Sequence, residues 1–259
     1  MGFKRTLWEA TILKQYNGVS VADVICVKPT EKKGEKVIFS TATGSGVKEY
    51  KGTVEYTDAK TTDVELIFDK KKYFAPTMSD VEAAQTNLPV LQATVEQDSF
   101  DMAAQVDGDV FAKAISEAGK IMTGVAIDKT NIYDLIVDMG TALSKNKVPK
   151  VNRFVIVNSE ILGLLSKDDR FTRNPNVLEN GVVEGQKING LQVISSEELP
   201  TGKIFAMHKS ALGYDKILDK VEHLRLESAF SEAVRGLCIY GAKVLRPNGI
   251  VAATYTLGA

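Results

Sequence analysis

Residues 34–75 alternate between strand-forming and charged positions in the manner of a long, polar β-hairpin. Threonine, valine, tyrosine and phenylalanine recur along this segment, and these residue types favour a pleated strand. A lysine or glutamate occupies nearly every second position, so the hairpin has little apolar surface of its own, and an isolated hairpin is marginal in water. We therefore expect the segment to be an arm that rests on a second copy of the chain.

The tip of this arm is predicted at a flexible Gly-Ser-Gly sequence. The tripeptide lacks the Lys-Ser/Thr ending of a phosphate-binding loop, and it is not the Gly-x-Ser-x-Gly of a nucleophile elbow. A compliant contact between subunits requires fewer assumptions, and the charged residues nearby are candidates for ion pairs across that contact. The predicted contact residues of the arm are Gly44, Ser45, Gly46, Lys48, Glu49, Tyr50, Lys51 and Glu55.

Beyond the arm, apolar residues at three- to four-residue steps predict a long spine helix that begins near Thr94 and extends through Ala118. The stripe is narrow and rich in alanine, which is typical of a helix lying across a surface. The residues of the stripe that we single out are Val95, Met102, Val106 and Val110.

The second half of the chain alternates between helices and strands. A helix is predicted over residues 132–143, with Asn131 as its cap and Pro149 beyond its end, and Asn158 is predicted to cap a short helix. Residues 166–190 are polar and turn-rich and contain Asp168, Asp169 and Arg170 in a loop. Strands are predicted at 19–27, 153–157, 191–195, 203–207 and 221–226, with a closing hairpin formed by 233–245 and 250–255.

Composition narrows the class of protein. The 259 residues are 44% hydrophobic and 25% charged, as in an ordinary globular protein, and the net charge of −1 gives no basic excess for a dedicated nucleic-acid-binding domain. Cys26 and Cys238 form no disulfide framework, which favours a reducing compartment. Neither a membrane-length apolar run nor a signal-peptide core is present, so we expect an intracellular protein without a membrane partner.

A search for catalytic and metal-binding patterns finds none that stands out. His208 and His223 have no second ligand at metal spacing, and Asp107-Gly108-Asp109 lacks the register of a calcium loop. Acidic pairs such as Glu197-Glu198 occur in predicted loops, where solvated charge is the ordinary interpretation. We therefore expect no catalytic residue, no metal and no cofactor.

The order of the elements and several short sequence segments resemble those of a known family. The strand Glu65-Leu66-Ile67-Phe68-Asp69-Lys70 leads into Ser79-Asp80-Val81-Glu82, and the closing strand Tyr240-Gly241-Ala242-Lys243-Val244-Leu245 precedes Pro247. This pattern, from Trp8 to Tyr255, resembles the major capsid protein of tailed bacteriophages, with the Hong Kong 97-type fold. The resemblance implies an α+β fold with an extended β-hairpin arm, a long spine helix, a peripheral domain and a mixed α/β axial domain.

The resemblance also implies a division of the chain and a set of partners. Subunits would form hexamers and pentamers of an icosahedral virion shell that holds double-stranded DNA without sequence preference, with a portal protein and, because no long charged N-terminal segment precedes the arm, a separate scaffolding protein. Assembly would take place in the host cytoplasm. The implied regions are an N-terminal arm (1–33), the extended loop (34–75), a peripheral domain with the spine helix (76–129), an axial domain (130–235) and a C-terminal hairpin returning to the peripheral domain (236–259).

Three alternatives remain open at this point. An encapsulin-type bacterial nanocompartment shell has a similar fold, although the N-terminal segment shows no cargo-docking signature. A tail-tube protein would polymerise into tubes. An unrecognised enzyme belongs to a different class and is disfavoured because no acid/base or metal set emerges.

Overall fold

The computed structural model describes residues 20–29, 36–80, 90–172 and 187–257, apart from positions 45, 48, 51, 55, 57, 59 and 228. The predicted N-terminal segment around Trp8 and the capping sequence at Val81 and Glu82 lie outside the described residues. The helices of the described part are α1 (Ala22–Ile25), α2 (Val90–Ser116), α3 (Ile132–Lys145), α4 (Ser159–Ser166) and α5 (Asp169–Thr172).

The strands fall into a hairpin and two sheets. The hairpin pairs β1 (Lys36–Thr43) with β2 (Lys60–Ile67). The four-stranded sheet contains β3 (Lys70–Phe74), β4 (Thr77–Ser79), β10 (Leu212–Arg225) and β11 (Ser231–Val244). The six-stranded sheet contains β5 (Lys120–Ile127), β6 (Arg153–Val157), β7 (Lys187–Ile188), β8 (Leu191–Ser195), β9 (Lys203–His208) and β12 (Ile250–Leu257). Short 3-10 turns cover Lys209–Ala211 and Pro247–Gly249.

Both sheets are built mainly from strands that are distant in sequence. In the four-stranded sheet, β11 is central and pairs antiparallel with β10, β3 and β4. The order of the six-stranded sheet is β5-β12-β9-β6-β8-β7, with parallel pairs β12–β5 and β6–β8 among antiparallel ones. Mixed pairing together with segregated helices is the α+β architecture expected from the sequence.

The spine helix α2 packs between the two sheets and organises the larger core. Val106, Val110 and Phe111 are fully buried there, and the Phe111 ring lies 5.5 Å from that of Phe205 in β9. On the opposite face of the six-stranded sheet, α3 and α4 form a second core, in which Ile136 is fully buried. Alternate residues of β6, β9 and β12 enter one core or the other, because successive strand side chains point to opposite faces.

Several local predictions are confirmed. The strongly amphipathic segment forms α3, and residues 153–157 form a fully buried strand. Asn158 caps α4, since its Oδ1 accepts a hydrogen bond from the Ile161 amide at 3.0 Å. The Asn189-Gly190 turn joins β7 to β8 as an antiparallel hairpin. Asn131 occupies the predicted N-cap position of α3, but its side chain makes no capping hydrogen bond and instead accepts from the Asp128 amide at 2.8 Å.

Two element boundaries differ from the predictions. The spine helix begins at Val90, earlier than Thr94, since no helix-breaking residue lies between the two positions. The predicted strand over residues 19–27 is instead the short helix α1, because the Asp107 carboxylate accepts hydrogen bonds from the amides of Val21 and Ala22 at its start. A negative charge that accepts the free amides of a first turn stabilises a helix.

The predicted C-terminal hairpin is also wrong. Residues 231–244 pair with β10 and β3, whereas β12 lies between β5 and β9 in the other sheet. Pro247–Gly249 reverses the chain as a 3-10 turn without bringing its two flanking strands together. Turn chemistry specifies a local reversal but not the partner of the strand that follows.

Candidate subunit-contact surface

The arm consists of the hairpin β1–β2, and its two faces differ in polarity. Partners in an antiparallel pair share a face, so Val37 opposite Leu66 and Phe39 opposite Val64 form an apolar face. The other face is mostly polar, although Ile38 lies there and is more than half exposed. One apolar face and one polar face indicate an element that packs against protein on its apolar side. Its polar side contacts solvent or another subunit.

The root of the arm is fixed to the body of the same chain. Val37, Leu66 and Phe68 are buried in a small cluster, against which Phe39 and Ile239 pack. Ile239 belongs to β11, so the arm departs from the outer face of the four-stranded sheet. Residues 70–74, at the end of the predicted arm, pair with β11 and are part of that sheet.

Glycine allows this close approach of the arm to the sheet. A Cβ at Gly241 would lie 2.1 Å from the carbonyl oxygen of Ile67, a separation that no side chain tolerates. At Gly213 a Cβ would lie 3.1 Å from the ring of Phe39. The root of the arm is therefore seated on two glycines, of which Gly241 leaves room for the Ile67 carbonyl and Gly213 leaves room for the Phe39 ring.

The distal part of the arm exposes large apolar side chains. Tyr50 is 76% exposed and Tyr56 is 95% exposed, and Val47 and Val54 are exposed as well. The sequence prediction emphasised charged residues and included only Tyr50 of these four. Val47, Val54 and Tyr56 could have been identified from the sequence, because apolar residues recur in this segment without the spacing of a helix or a strand.

The predicted tip residues have different outcomes. Gly44 and Gly46 are exposed, with nothing within 4 Å of an added Cβ, and Gly46 adopts φ +80°, which favours glycine. Glu49 is exposed. The remaining predicted residues lie outside the described residues, namely Ser45, Lys48, Lys51 and Glu55.

The spine-helix stripe faces the core of its own chain. Val95, Val106 and Val110 are fully buried, and Met102 is nearly so. A contact between α2 and another subunit must therefore use the outer face of the helix, whose exposed members are Gln92, Ala93, Gln97, Phe100, Asp101, Gln105, Ala112 and Ser116.

The outer face of the four-stranded sheet offers a second exposed surface. Tyr73 in β3 lies opposite Leu237 in β11, and Tyr73 is 78% exposed. Next to them Glu222 accepts hydrogen bonds from Arg235 and pairs with Lys220, and these two cations lower the pKa of Glu222 to about 2. We call this group of five residues the sheet platform. It combines an apolar pair with fixed charges, a composition found at protein interfaces.

The predicted axial-domain loop is wrong at Asp169 and Arg170, which lie in the helix α5, and Asp168 directly precedes that helix. The Arg170 guanidinium binds the Asp168 carboxylate at 2.8 Å and that of Asp134 in α3 at 2.7 Å, and it stacks over the Tyr133 ring at 4.6 Å. This pairing lowers the pKa of Asp168 and raises that of Arg170. The side chain of Asp169 lies outside the described part of the structure. Asp168 and Arg170 hold α5 against the start of α3.

Tyr240 is a buried titratable residue with a structural partner. The Tyr240 hydroxyl donates to Asp109 Oδ2 at 2.5 Å, and burial together with this carboxylate raises the pKa of Tyr240, so the phenol stays protonated. Within the described ranges, no three His, Cys, Asp or Glu side chains converge as metal ligands do. No described helix is both long and apolar enough to cross a membrane.

Comparison with known proteins identifies the family. The sequence model of a family described as phage capsid protein matches residues 64–253. A chain from Mycobacterium phage Che8 is 27% identical, with 85% of each chain covered and a TM-score of 0.72. No curated protein sequence matches the chain significantly.

More distant structures share the fold. The capsid structure of the cyanophage P-SCSP1u matches at 16% identity over 92% of this chain and 89% of that one, with a TM-score of 0.69. A virus-like particle from Pyrococcus furiosus matches at 12% identity over 96% and 99% of the two chains, with a TM-score of 0.61. The architecture is that of Hong Kong 97-like capsid shells, and with the family match over more than half of its length, this chain belongs to the phage capsid protein family.

Proposed function

We propose that the chain is the major capsid protein of a tailed double-stranded DNA bacteriophage or prophage, and that it forms the hexamers and pentamers of an icosahedral head. The family match and the fold support a capsid shell protein. The observation that carries the proposal further is the arm, whose distal apolar residues have no partner surface within the described part of their own chain.

The apolar tip favours another copy of the chain as its partner. Burying apolar surface contributes about 25 cal/mol per Å², so the side chains of Val47, Tyr50, Val54 and Tyr56 each represent stabilisation that is realised only on contact. An arm that leaves one subunit and lies on the next makes a heterologous contact, and such contacts close into rings when the rotation permits. Rings of five and six subunits are the units that a closed shell requires.

Two exposed surfaces of the neighbouring copy are candidates for receiving the arm. The outer face of α2 presents Phe100 among polar residues, and the sheet platform presents Tyr73 and Leu237. We propose that the arm lies across the outer face of the neighbouring spine helix and reaches towards the sheet platform. Charged arm residues then add ion pairs, each worth about 0–1 kcal/mol when exposed.

We propose that the peripheral and axial regions of the chain correspond to its two sheets. The peripheral part contains α2 and the four-stranded sheet, from whose outer face the arm departs. The axial part contains the six-stranded sheet with α3 and α4. Strand β12 belongs to the axial part, because it pairs with β5 and β9.

The proposed partners are a scaffolding protein, a portal protein and packaged DNA, with the mature protein in the virion capsid after assembly in the host cytoplasm. No catalytic role is proposed, because the family and the fold are those of structural capsid proteins. The net charge of −1 is compatible with a shell that holds DNA without binding a specific sequence.

One alternative has a specific observation in its favour. The virus-like particle from Pyrococcus furiosus shares the fold over nearly the whole of both chains, so the fold by itself is compatible with an encapsulin-type compartment. Neighbouring genes separate the two functions. Terminase, portal and scaffold genes support the phage head, whereas a gene for an enzyme cargo supports the compartment.

Electron microscopy of the purified protein, alone and together with the product of a neighbouring scaffold-like gene, tests the proposed function. We expect closed shells or hexameric and pentameric capsomers, with closed shells favoured when the scaffold is present. A compact monomer at all protein concentrations, with and without the scaffold, would contradict the proposal.

A further inference from the structure

A cleft of about 330 Å³ lies at the end of the six-stranded sheet. Three segments meet there: the chain that follows α3, the 3-10 turn after β9 and the turn that precedes β12. Its polar lining includes Asn146, Lys147, His208, Ser210, Arg246 and Asn248. None of its lining residues is acidic, so Lys147 and Arg246 give the cleft a basic character.

Arg246 is unusual among the exposed arginines of the described residues. Arg170, Arg225 and Arg235 each bind a carboxylate, whereas Arg246 reaches only the hydroxyl of Ser210, at 3.4 Å. Lys147, across the cleft, also has no carboxylate partner in the described part of the chain. A guanidinium with an open donor fork next to an ammonium group is the arrangement that binds oxyanions.

Several backbone acceptors around the cleft are already used. The carbonyls of Val148 and Pro149 accept hydrogen bonds from the buried Arg153, and that of Pro247 accepts from the Gly119 amide at 2.9 Å. The Asn248 carbonyl accepts from Asn146 at 2.9 Å. The charged groups of the lining, those of Lys147 and Arg246, are both hydrogen-bond donors.

Two further side chains next to the cleft differ in their charge. Arg153 is 1% exposed and donates to carbonyls and to the Ser144 hydroxyl, so its charge has no carboxylate to cancel it. His208 is fixed in its neutral form, since its Nδ1 accepts from the Ser210 amide at 3.1 Å, and burial together with the two neighbouring arginines lowers its pKa. His208 therefore shapes the wall, and the charges come from the other side chains.

We propose that this cleft binds the phosphate group of an anionic ligand, with Arg246 and Lys147 contacting its oxygens. The volume accommodates one phosphodiester unit. The site recognises phosphate oxygens and no base edge, so the binding is independent of nucleotide sequence. That the phosphate belongs to packaged DNA rests on the proposed function, but the phosphate site itself does not.

Binding of a fluorescent duplex oligonucleotide, measured by anisotropy over a series of salt concentrations, tests the site in the purified full-length protein. Unlabelled inorganic phosphate and duplexes of two unrelated sequences serve as competitors. The variants are Arg246→Gln and Lys147→Asn, the latter chosen because Lys147 has φ +58°, which asparagine tolerates. Arg225→Gln, which removes an exposed arginine paired with the Asp80 carboxylate, is the matched control.

We expect each site variant to weaken binding by roughly tenfold and to reduce the slope of log affinity against log salt by about 1, with equal affinity for the two sequences. The control variant leaves both quantities unchanged. Competition by duplex and inorganic phosphate together assigns a polynucleotide phosphate. Saturation by inorganic phosphate without duplex binding assigns a free phosphate to the same site.

Equal losses in Arg225→Gln and Arg246→Gln, or the absence of both duplex and phosphate binding, would overturn the site. This result is independent of shell formation. Shells without phosphate binding would contradict the phosphate site alone, and phosphate binding by a protein that never assembles would contradict the proposed function alone.

Discussion

At Gly241 and Asp107, single residues determine how separate segments of the chain meet. A side chain at Gly241 would occupy the place of the Ile67 carbonyl oxygen at the root of the arm. The buried Asp107 carboxylate on α2 accepts hydrogen bonds from Ser20 Oγ, at 2.8 Å, and from two amides at the start of α1. Neither role is visible in the sequence, since each depends on a residue far along the chain.

The substitution Gly241→Ala tests the contact at the root of the arm. Because the added Cβ meets backbone, which cannot rotate away, we expect a loss of roughly 1–3 kcal/mol in the free energy of unfolding. Chemical denaturation measures it. Gly44→Ala, at an open position of the tip, is the control and leaves stability within about 0.5 kcal/mol. Equal stability of the two variants would show that the arm is not seated on β11.

The substitution Asp107→Ala removes the acceptor of three buried donors. We expect a loss of about 2–3 kcal/mol, because buried donors without partners incur their desolvation cost. Asp101→Ala, on the exposed face of the same helix, is the matched control and costs far less. Denaturation followed by circular dichroism measures the loss of stability. Equal losses in the two variants would contradict the role of Asp107 in holding the start of α1 against α2.

Asp107 also predicts a dependence of stability on pH. Burial raises its pKa in the folded state, and the three hydrogen bonds offset part of that shift. Between the ordinary and the raised pKa the folded state binds more protons than the unfolded state, so the contribution of this group to stability increases as the pH falls. We expect the difference in unfolding free energy between the wild type and Asp107→Asn to grow as the pH is lowered through this window. A difference that is constant with pH would contradict the raised pKa.

Among the elements, those with strong local periodicity were predictable and those defined by distant pairing were not. The helix α3 follows from its apolar spacing, and β6 from a short, continuous apolar run. The strand β10 extends over Leu212–Arg225, but only residues 221–226 alternate clearly, because residues 212–215 are all buried and the register shifts between Lys216 and Leu218. The pairing of β12 with β5 depends on residues more than a hundred positions away, which no local pattern encodes.

The sequence predicted where the candidate contact surface lies but not which side chains it exposes. A polar hairpin with too little core of its own identified the arm. The exposed Val47, Val54 and Tyr56 were missed because a tip without period gives no indication of which side chains remain uncovered. The stripe of α2 was read correctly as a helix face, yet the sequence could not tell whether the face packs within one subunit or between two.

The junction between α3 and β6 gives a prediction at the scale of elements. Arg153 donates to the carbonyls of Gly140, Val148 and Pro149, which ties the end of α3 to the strand. We expect Arg153→Met to lose roughly 2–4 kcal/mol of stability, since buried carbonyls would be left without donors. Arg225→Met, which breaks only the exposed pair with Asp80, loses no more than about 1 kcal/mol. Similar denaturation midpoints for the two variants would contradict this role.

For the molecule as a whole, folding and assembly use different surfaces. The subunit core lies around α2 and beneath α3, whereas the arm tip contributes no described side chain to any buried cluster. Changes at the tip are therefore expected to separate the two processes.

The substitution Tyr56→Ser tests this separation at one position. We expect subunit stability within about 0.5 kcal/mol of the wild type, since the side chain is 95% exposed, together with a higher protein concentration needed for assembly. Light scattering during assembly measures the latter. Thr53→Ser, also on the exposed tip, is the control. An unchanged assembly threshold for Tyr56→Ser would exclude this residue from the contact.

Replacement of the distal arm tests the central claim most directly. Residues 42–61 are exchanged for an Asn-Gly turn, so that Thr41 and Thr62, which are cross-strand partners, flank a two-residue hairpin loop. Electron microscopy and sedimentation of this variant are compared with those of the full chain, alongside thermal unfolding of both. The account predicts a subunit that unfolds as cooperatively as the full chain but forms no shells. Shells of normal appearance, or loss of the cooperative transition, would contradict it.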